Sequence, residues 1–305
     1  MTGLDTLQVL VAYLIFPGGL FIILLGLLYE WLQRKLVARL QNRIGPRWFQ
    51  PLADVAKLLI KEEVIPARAN AFLFVGLPVA ALAGALTAAL YTPLVGLPPV
   101  HNFPGDLIVT LYLLSLLTLA LGVAGANSSD RFSVLGATRT LTQVFSYEAP
   151  FLLALLGPAI VAGSWQIDVI AEHAAGRWLV FTQPLGFLVA LVGLMGKLEL
   201  PPFDAPEAET EIVAGALTEY SGRGLALFRL GKVVEQVVGL SLIAAFYLGG
   251  VGDPLSFFAK TLALLFLLGV AQALITRLRI DQVVRYWRVG ALLALGQMLL
   301  LIIFV

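Results

Sequence analysis

Apolar positions in this chain fall into long blocks and not into alternations. Eight blocks approach the roughly 20 apolar residues that a helix needs to cross a bilayer. They cover about 8–30, 72–91, 106–126, 142–162, 179–197, 229–249, 259–277 and 287–304. The pattern predicts an all-α polytopic membrane protein with about eight transmembrane helices, forming a single membrane domain over residues 1–305. The first block has no basic start (Met1-Thr2-Gly3-Leu4-Asp5) and is too long for a signal peptide, so it reads as a span. The fourth begins among polar residues, Gln143 to Glu148. Pro150 then sits near its beginning, where proline is tolerated. No internal repeat and no matched pair of broken helices is visible.

The first polar connection has a pattern of its own. A basic stretch from Arg34 to Arg39 leads to Arg43-Ile44-Gly45-Pro46-Arg47, where Gly-Pro forces a turn. From Pro51 onward, Leu52, Val55, Leu58 and Leu59 recur at helical spacing, with Asp54, Lys57 and Lys61 between them. This predicts a short amphipathic surface helix over about 51–63. It reads either as a membrane-surface anchor or as a lid over a cavity or a dock for a partner.

An acidic connection, about 198–228, lies between two spans. Its run Pro201-Pro202-Phe203-Asp204-Ala205-Pro206-Glu207-Ala208-Glu209-Thr210-Glu211 is flanked by Glu199 and Glu219, with no Lys or Arg from Glu199 to Gly222. One reading is a helix start: Asp204 and Glu207 have capping spacing, Pro206 suits a first turn, and the helix dipole favours carboxylates there. If that helix continues, Glu207, Glu211 and Glu219 share one face and repel each other. Such a stripe persists more easily when its members share protons, which points to proton handling. Glu148 at the start of the fourth block, and Lys232 and Glu235 in the sixth, add charge within spans. The i, i+3 spacing of Lys232 and Glu235 predicts a pair on one helix face.

Composition agrees with the block pattern. Hydrophobic residues make up 59% and charged residues 13%, against about 25% charged in soluble domains. The Lys and Arg form no groove-like patch, so nucleic acid is not an expected partner, whereas lipid is. The absence of cysteine rules out thiolate-held iron–sulfur clusters and disulfides. His101 and His173, both expected in short connections, suggest no metal site. Of the 20 Lys and Arg, all but Arg177 and Lys260 fall in the connections 33–68, 127–141, 197–232 and 277–288. That bias puts those connections in the cytoplasm, the acidic one included, and both termini outside.

Several of these motifs resemble one family. Arg34-Lys35-Leu36-Val37-Ala38-Arg39-Leu40-Gln41-Asn42-Arg43-Ile44-Gly45-Pro46, Gln50-Pro51-Leu52-Ala53-Asp54, Ser146-Tyr147-Glu148 and Pro202-Phe203-Asp204-Ala205-Pro206-Glu207-Ala208-Glu209 resemble the H subunit of respiratory complex I and its hydrogenase relatives. The resemblance spans nearly the whole chain. It implies a membrane-arm subunit of an oxidoreductase in a prokaryotic cytoplasmic membrane, with no catalytic residue or redox centre of its own. Partner subunits would carry iron–sulfur clusters with Ni-Fe or flavin. A cavity facing the last cluster admits quinone in complex I. Implied partners are a hydrogenase-like large subunit and an iron–sulfur subunit of the peripheral arm, small membrane subunits and antiporter-like subunits. Carried over, Glu148, Asp204, Glu207, Glu209, Glu211, Glu219, Lys232 and Glu235 form a proton path. Arg39, Arg43, Arg47, Asp54 and Lys197 belong to the cavity or docking surface. The chain departs from quinone-reducing members in three places: a shorter segment after Arg43-Ile44-Gly45-Pro46, Lys197 and Leu200 where they have a glutamate and an arginine, and Lys232 at a glutamate position. These departures favour the hydrogenase-like branch, with a quinone-binding H subunit as the alternative. A stand-alone secondary transporter is a further reading, but such proteins usually show internal repeats. A passive anchor would have no use for Glu148, Glu235 or the acidic run.

Overall fold

The structure is a computed structural model that describes residues 11–304, save for the side chains of Glu209 and Phe304. Ten helices organise it: α1 (Gly19–Leu40), α2 (Gln50–Ile60), α3 (Ala71–Leu90), α4 (Asp106–Asn127), α5 (Arg131–Ala162), α6 (Ile167–Ala174), α7 (Pro184–Lys197), α8 (Gly222–Tyr247), α9 (Pro254–Leu274) and α10 (Ile280–Phe304). Among the described residues no named strand occurs, and Leu94 and Leu97 form an isolated bridge. Among the described residues, seven helical segments are long and apolar enough to cross a membrane. The protein is an all-α polytopic membrane protein.

The predicted block 179–197 is not one long helix. A single turn, Leu179–Thr182, ends at Gln183, whose backbone leaves the helical region (φ −128°, ψ 54°). Pro184, which has no N–H to donate, starts α7 afresh. With 14 residues, α7 is about 21 Å long, shorter than a hydrocarbon core of about 30 Å. The fourth span starts earlier than its hydropathy suggests. Asp130 accepts hydrogen bonds from the Phe132 and Ser133 amides at 2.8 and 3.1 Å, satisfying orphan donors of the first turn. Pro150 and Pro158 therefore lie inside α5, not at its start. His173 belongs to the short helix α6.

Helix α8 is the hub. In its most apolar stretch 89% of residues are buried, against 22% in α10. It packs against α3, α1, α2, α9 and α7, while α5 packs against α10, α4 and α7. Small residues allow close approach. Ala81, Gly84, Ala85 and Ala88 of α3 are buried, and Gly84 lies against Leu113 and Leu116 of α4. The amphipathic helix α2 buries Val55 against Leu27, Leu230 and Val233. Leu52 and Leu59 stay exposed, so its apolar stripe is only partly used by the bundle.

The acidic segment is not a continuous helix. A 3-10 turn (Ala205–Glu207), one helical turn (Glu209–Ile212) and a second 3-10 turn (Gly215–Leu217) follow one another. Val213 at φ 62° and Gly215 at φ 54° are left-handed and stop propagation. The predicted Glu207–Glu211–Glu219 face therefore does not form. Nor does Asp204 cap: its side chain makes no cap hydrogen bond. The segment is seated on α5, where a methyl group at Gly136 would meet the backbone of Gly215 and Ala216.

That seat predicts a substitution effect. Gly136→Ala should displace the 205–217 turns and cost about 1–3 kcal/mol, as overpacking does. A melting scan and limited proteolysis of the detergent-purified protein would register it. Wild-type melting together with wild-type cleavage would show that the turns are not seated there.

Candidate functional site

Two charge clusters, an inner buried one and an outer one open at Glu207, meet where α5, α7 and α8 converge. In the outer cluster, Lys232 of α8 lies 2.6 Å from Glu199 and 2.5 Å from Glu207. In the inner one, Lys197 at the end of α7 lies 3.3 Å from Glu148 of α5 and 3.8 Å from Glu235 of α8. The Lys197 and Glu235 side chains are fully buried. Lys197 Nζ also sits 5.5 and 5.7 Å from the ring centres of Tyr147 and Phe151, which softens its desolvation. Gln143 Nε2 donates to the carbonyls of Gly196 (2.9 Å) and Phe203 (2.8 Å), tying the end of α7 to the acidic segment. The clusters abut, because Glu235 follows Lys232 by one helical turn and Glu199 follows Lys197 by two residues.

Lys232 and Glu235 thus do not pair with each other as their spacing predicts. The cause is tertiary. Glu199 and Glu207 reach Lys232 from the acidic segment, and Lys197 reaches Glu235 from α7. Together, four carboxylates face two ammonium groups. Glu207 is 42% exposed and screened by water, so the enclosed carboxylates are Glu199, Glu148 and Glu235, whose charge is costly unless protons or the ammonium groups relieve it.

Outside the outer cluster opens a cavity of about 1030 Å³. Asp204, Glu207, Lys232 and Arg43 line it, as do Glu30, Arg34, Glu199, Arg229 and Arg277, and four glutamines, Gln33, Gln41, Gln236 and Gln272. Three of the glutamines are linked: Gln236 donates to Gln33, and Gln33 Nε2 donates to Gln272 at 3.0 Å. The acidic segment roofs the cavity through further ties. Arg277 holds Asp204 at 2.7 Å, and Arg139 of α5 holds Glu211 at 2.8 Å and the Ala205 carbonyl at 3.3 Å. The Arg139 hydrogen bond and charge hold Glu211 below the usual carboxylate range.

The remaining sequence candidates separate from this centre. Asp54 joins Arg34 at 3.5 Å and accepts from Gln50 at 2.8 Å, fastening α2 to α1. Arg39 and Arg47 do not line the cavity. Lys197 lies behind the cavity wall, within the inner cluster. Glu219 is half-buried and has no ion-pair partner among the described residues. The Glu209 side chain lies outside the described residues. Among the described residues no group of three metal-ligating side chains occurs. Sequence reasoning counted Glu199 with the acidic run but gave it no role on the path, and it missed Glu30, Arg34, Arg229, Arg277 and the four glutamines as site residues. Glu30 and Arg34 did carry a signal in their i, i+4 spacing, which forms an ion pair at 3.2 Å.

Comparison with known proteins shows the family. A family profile described as NADH dehydrogenase matches residues 12–302. The chain belongs to the NADH dehydrogenase family. It is 34% identical, over 291 residues, to the H subunit of the NADH-quinone oxidoreductase of Dehalococcoides mccartyi strain CBDB1, covering 92% of this chain and 82% of that protein. The protein of the same name from strain ATCC BAA-2266 / KCTC 15142 / 195 matches at the same identity and coverage. The family resemblance carried by the motifs is borne out at this level. Similarity to these two relatives does not single out a hydrogenase-like branch within the family.

The outer cluster makes a stability prediction. Burial holds the Glu199 carboxyl above its ordinary value, against the opposing charge and hydrogen bond of Lys232. A folded-state value above the unfolded one favours the fold at low pH, and that advantage is lost as pH rises. Lys232→Met removes the opposition. It should cost about 3–5 kcal/mol, as breaking a buried pair does, with the deficit growing as pH rises through the carboxylate range. Melting curves across pH would record it, and a deficit that is flat with pH would mean that Glu199 is not the group left uncompensated.

Proposed function

We propose that this chain is the H-type membrane subunit of a redox-driven proton or sodium pump. In this reading it belongs to an oxidoreductase complex, as its relatives do by name, and has no redox centre of its own. It joins a peripheral electron-transfer arm to the ion-translocating subunits of the membrane arm. The excess of basic residues in alternate connections supports a cytoplasmic acidic segment, with both termini on the opposite face. Arg39 and Arg47, outside the cavity and beside Arg43, suit a docking surface for the peripheral arm.

The observation that carries this reading is the pair of abutting clusters between a charged cavity and the bundle core. A proton entering from the cavity meets Glu207 and Glu199 around Lys232, then Glu235 and Glu148 around Lys197. Carboxylates at membrane depth are costly when charged and unpaired. Members that change partner or protonation state can relay a proton. Asp204 and Glu211 serve instead to hold the roof through Arg277 and Arg139. The hydrogenase-like branch is favoured by Lys197 and Lys232 at positions that quinone-reducing members fill with acids, and by the many charged side chains of the cavity wall. The name that the relatives carry favours the second reading, a quinone-binding H subunit, and the cavity has the volume for it.

Glu148→Gln and Glu235→Gln keep size and remove titration. In vesicles containing the whole complex, each should slow ion pumping about tenfold or more, with electron transfer slowed in step, since one lost relay group costs on the order of 1.4 kcal/mol or more in the barrier. Normal pumping in both would reduce the inner cluster to a structural ion pair. Reversing Arg43 and Arg47 to Glu should release the soluble subunits at ordinary salt, and co-purification at wild-type stoichiometry would move the dock elsewhere.

A further inference from the structure

Ser115 lies in α4 and is only 5% exposed. Its Oγ stands 2.9 Å from the carbonyl oxygen of Leu111, one turn earlier. The same Oγ also contacts Oε1 of Glu148, across on α5. A hydroxyl has one proton to donate and two lone pairs to offer. It cannot donate to both oxygens at once. An ionised Glu148 has no proton of its own, so the serine proton must turn towards Oε1 to satisfy it. A protonated Glu148 reverses the arrangement. Its carboxyl O–H then donates to Oγ, and the serine proton swings back to Leu111.

We propose that Ser115 is a positioning residue for proton transfer at Glu148. Its hydroxyl rotates between two acceptors and keeps Oε1 hydrogen-bonded in both protonation states. The other oxygen, Oε2, faces Lys197 Nζ at 3.3 Å. The serine O–H bond remains intact throughout. The transferred proton arrives at and leaves Glu148 through its neighbours on the path, so this role rests on the path reading given above. Serine bonding to a carbonyl one turn back is common within helices and needs no second partner. Here the second partner is a titratable side chain on another helix. The charged groups facing Glu148 come from elsewhere, Lys197 from α7 and Glu235, through Lys197, from α8. On α4 itself Asp106 sits at the far end and Tyr112 is exposed. Ser115 is therefore the member of α4 that answers a change at Glu148.

The test uses the assembled complex in lipid vesicles. Infrared difference spectra locate the Glu148 carboxyl band as the one that disappears in Glu148→Gln. Ser115→Ala should move that band to the frequency of a carboxyl group without a hydrogen bond, and slow pumping about tenfold, the effect of one lost charge-assisted hydrogen bond. Ser115→Thr, which keeps the hydroxyl, should restore band and rate. Ser115→Cys retains the volume with a weaker donor and gives a second measure should the alanine variant fail to assemble; its band should shift in the same direction. An unmoved band in either variant overturns the proposal, even if pumping slows, and so does a threonine variant that rescues neither. Normal pumping in Glu148→Gln would instead overturn the path reading itself. A silent Ser115→Ala beside an inactive Glu148→Gln defeats the serine role alone.

Discussion

Glu235 sets the terms for the core of this molecule. It is fully buried on the most enclosed helix of the bundle, where a lone carboxylate is not tolerated in its charged form. Helix α8 offers it no partner, because Lys232, one turn earlier, is taken by Glu199 and Glu207. The cation has to arrive from another helix, and Lys197 supplies it from the end of α7. That requirement fits the shape of α7. The helix stops at Lys197, and Glu199 adopts a left-handed backbone at φ 52°. The chain turns there, so one carboxylate can face Lys232 while the lysine two residues back faces inward.

The acidic segment follows from the same constraint at the surface. Its backbone is irregular and cannot satisfy itself as a helix would. Charge holds it in place instead: Arg139 from α5, Lys232 from α8 and Arg277 from the turn before α10 each take a different carboxylate. The segment becomes the roof of a cavity, and its acids are spread apart, Asp204 and Glu207 on the cavity and Glu211 away from it. Concentrated on one helix face they would repel each other. Gln143 adds a neutral tie beneath. The cavity wall and the buried clusters are therefore one construction, with Lys232 belonging to both.

The spans were legible in the sequence because lipid imposes a length and a composition that few other settings require. The helix after Gly45-Pro46 was legible too, through spacing and Pro51, although the chain turns at 41–42 and 48–49, on either side of that pair. The break at Gln183-Pro184 was visible as a proline but hidden by apolar neighbours on both sides. The start of α5 was hidden for the opposite reason, since Asp130 caps a first turn too polar to register as a span. The pairing of charges was not legible. Spacing along one helix proposes Lys232 with Glu235, while the fold brings Glu199 and Glu207 from 33 and 25 residues away. Arg277 looked like one more basic residue at a span end until the fold placed Asp204 against it.

The lysine at position 197 changes what the inner cluster can do on the proposed path. An acid there would have set three carboxylates together with no cation, a cluster that can only hold protons tightly or ionise in part. An ammonium group between two carboxylates behaves differently. It stands 3.3 Å from Glu148 and 3.8 Å from Glu235, so a displacement of well under an ångström would reverse its preference. Protonating Glu148 removes the attraction on that side and releases Lys197 towards Glu235. Deprotonation draws it back. Charge on the ammonium thus moves against charge on the carboxyl group, and the buried site is never left with its full imbalance. Relaying a proton then needs only small side-chain shifts inside a packed bundle, which suits a region where α5, α7 and α8 have little freedom to move.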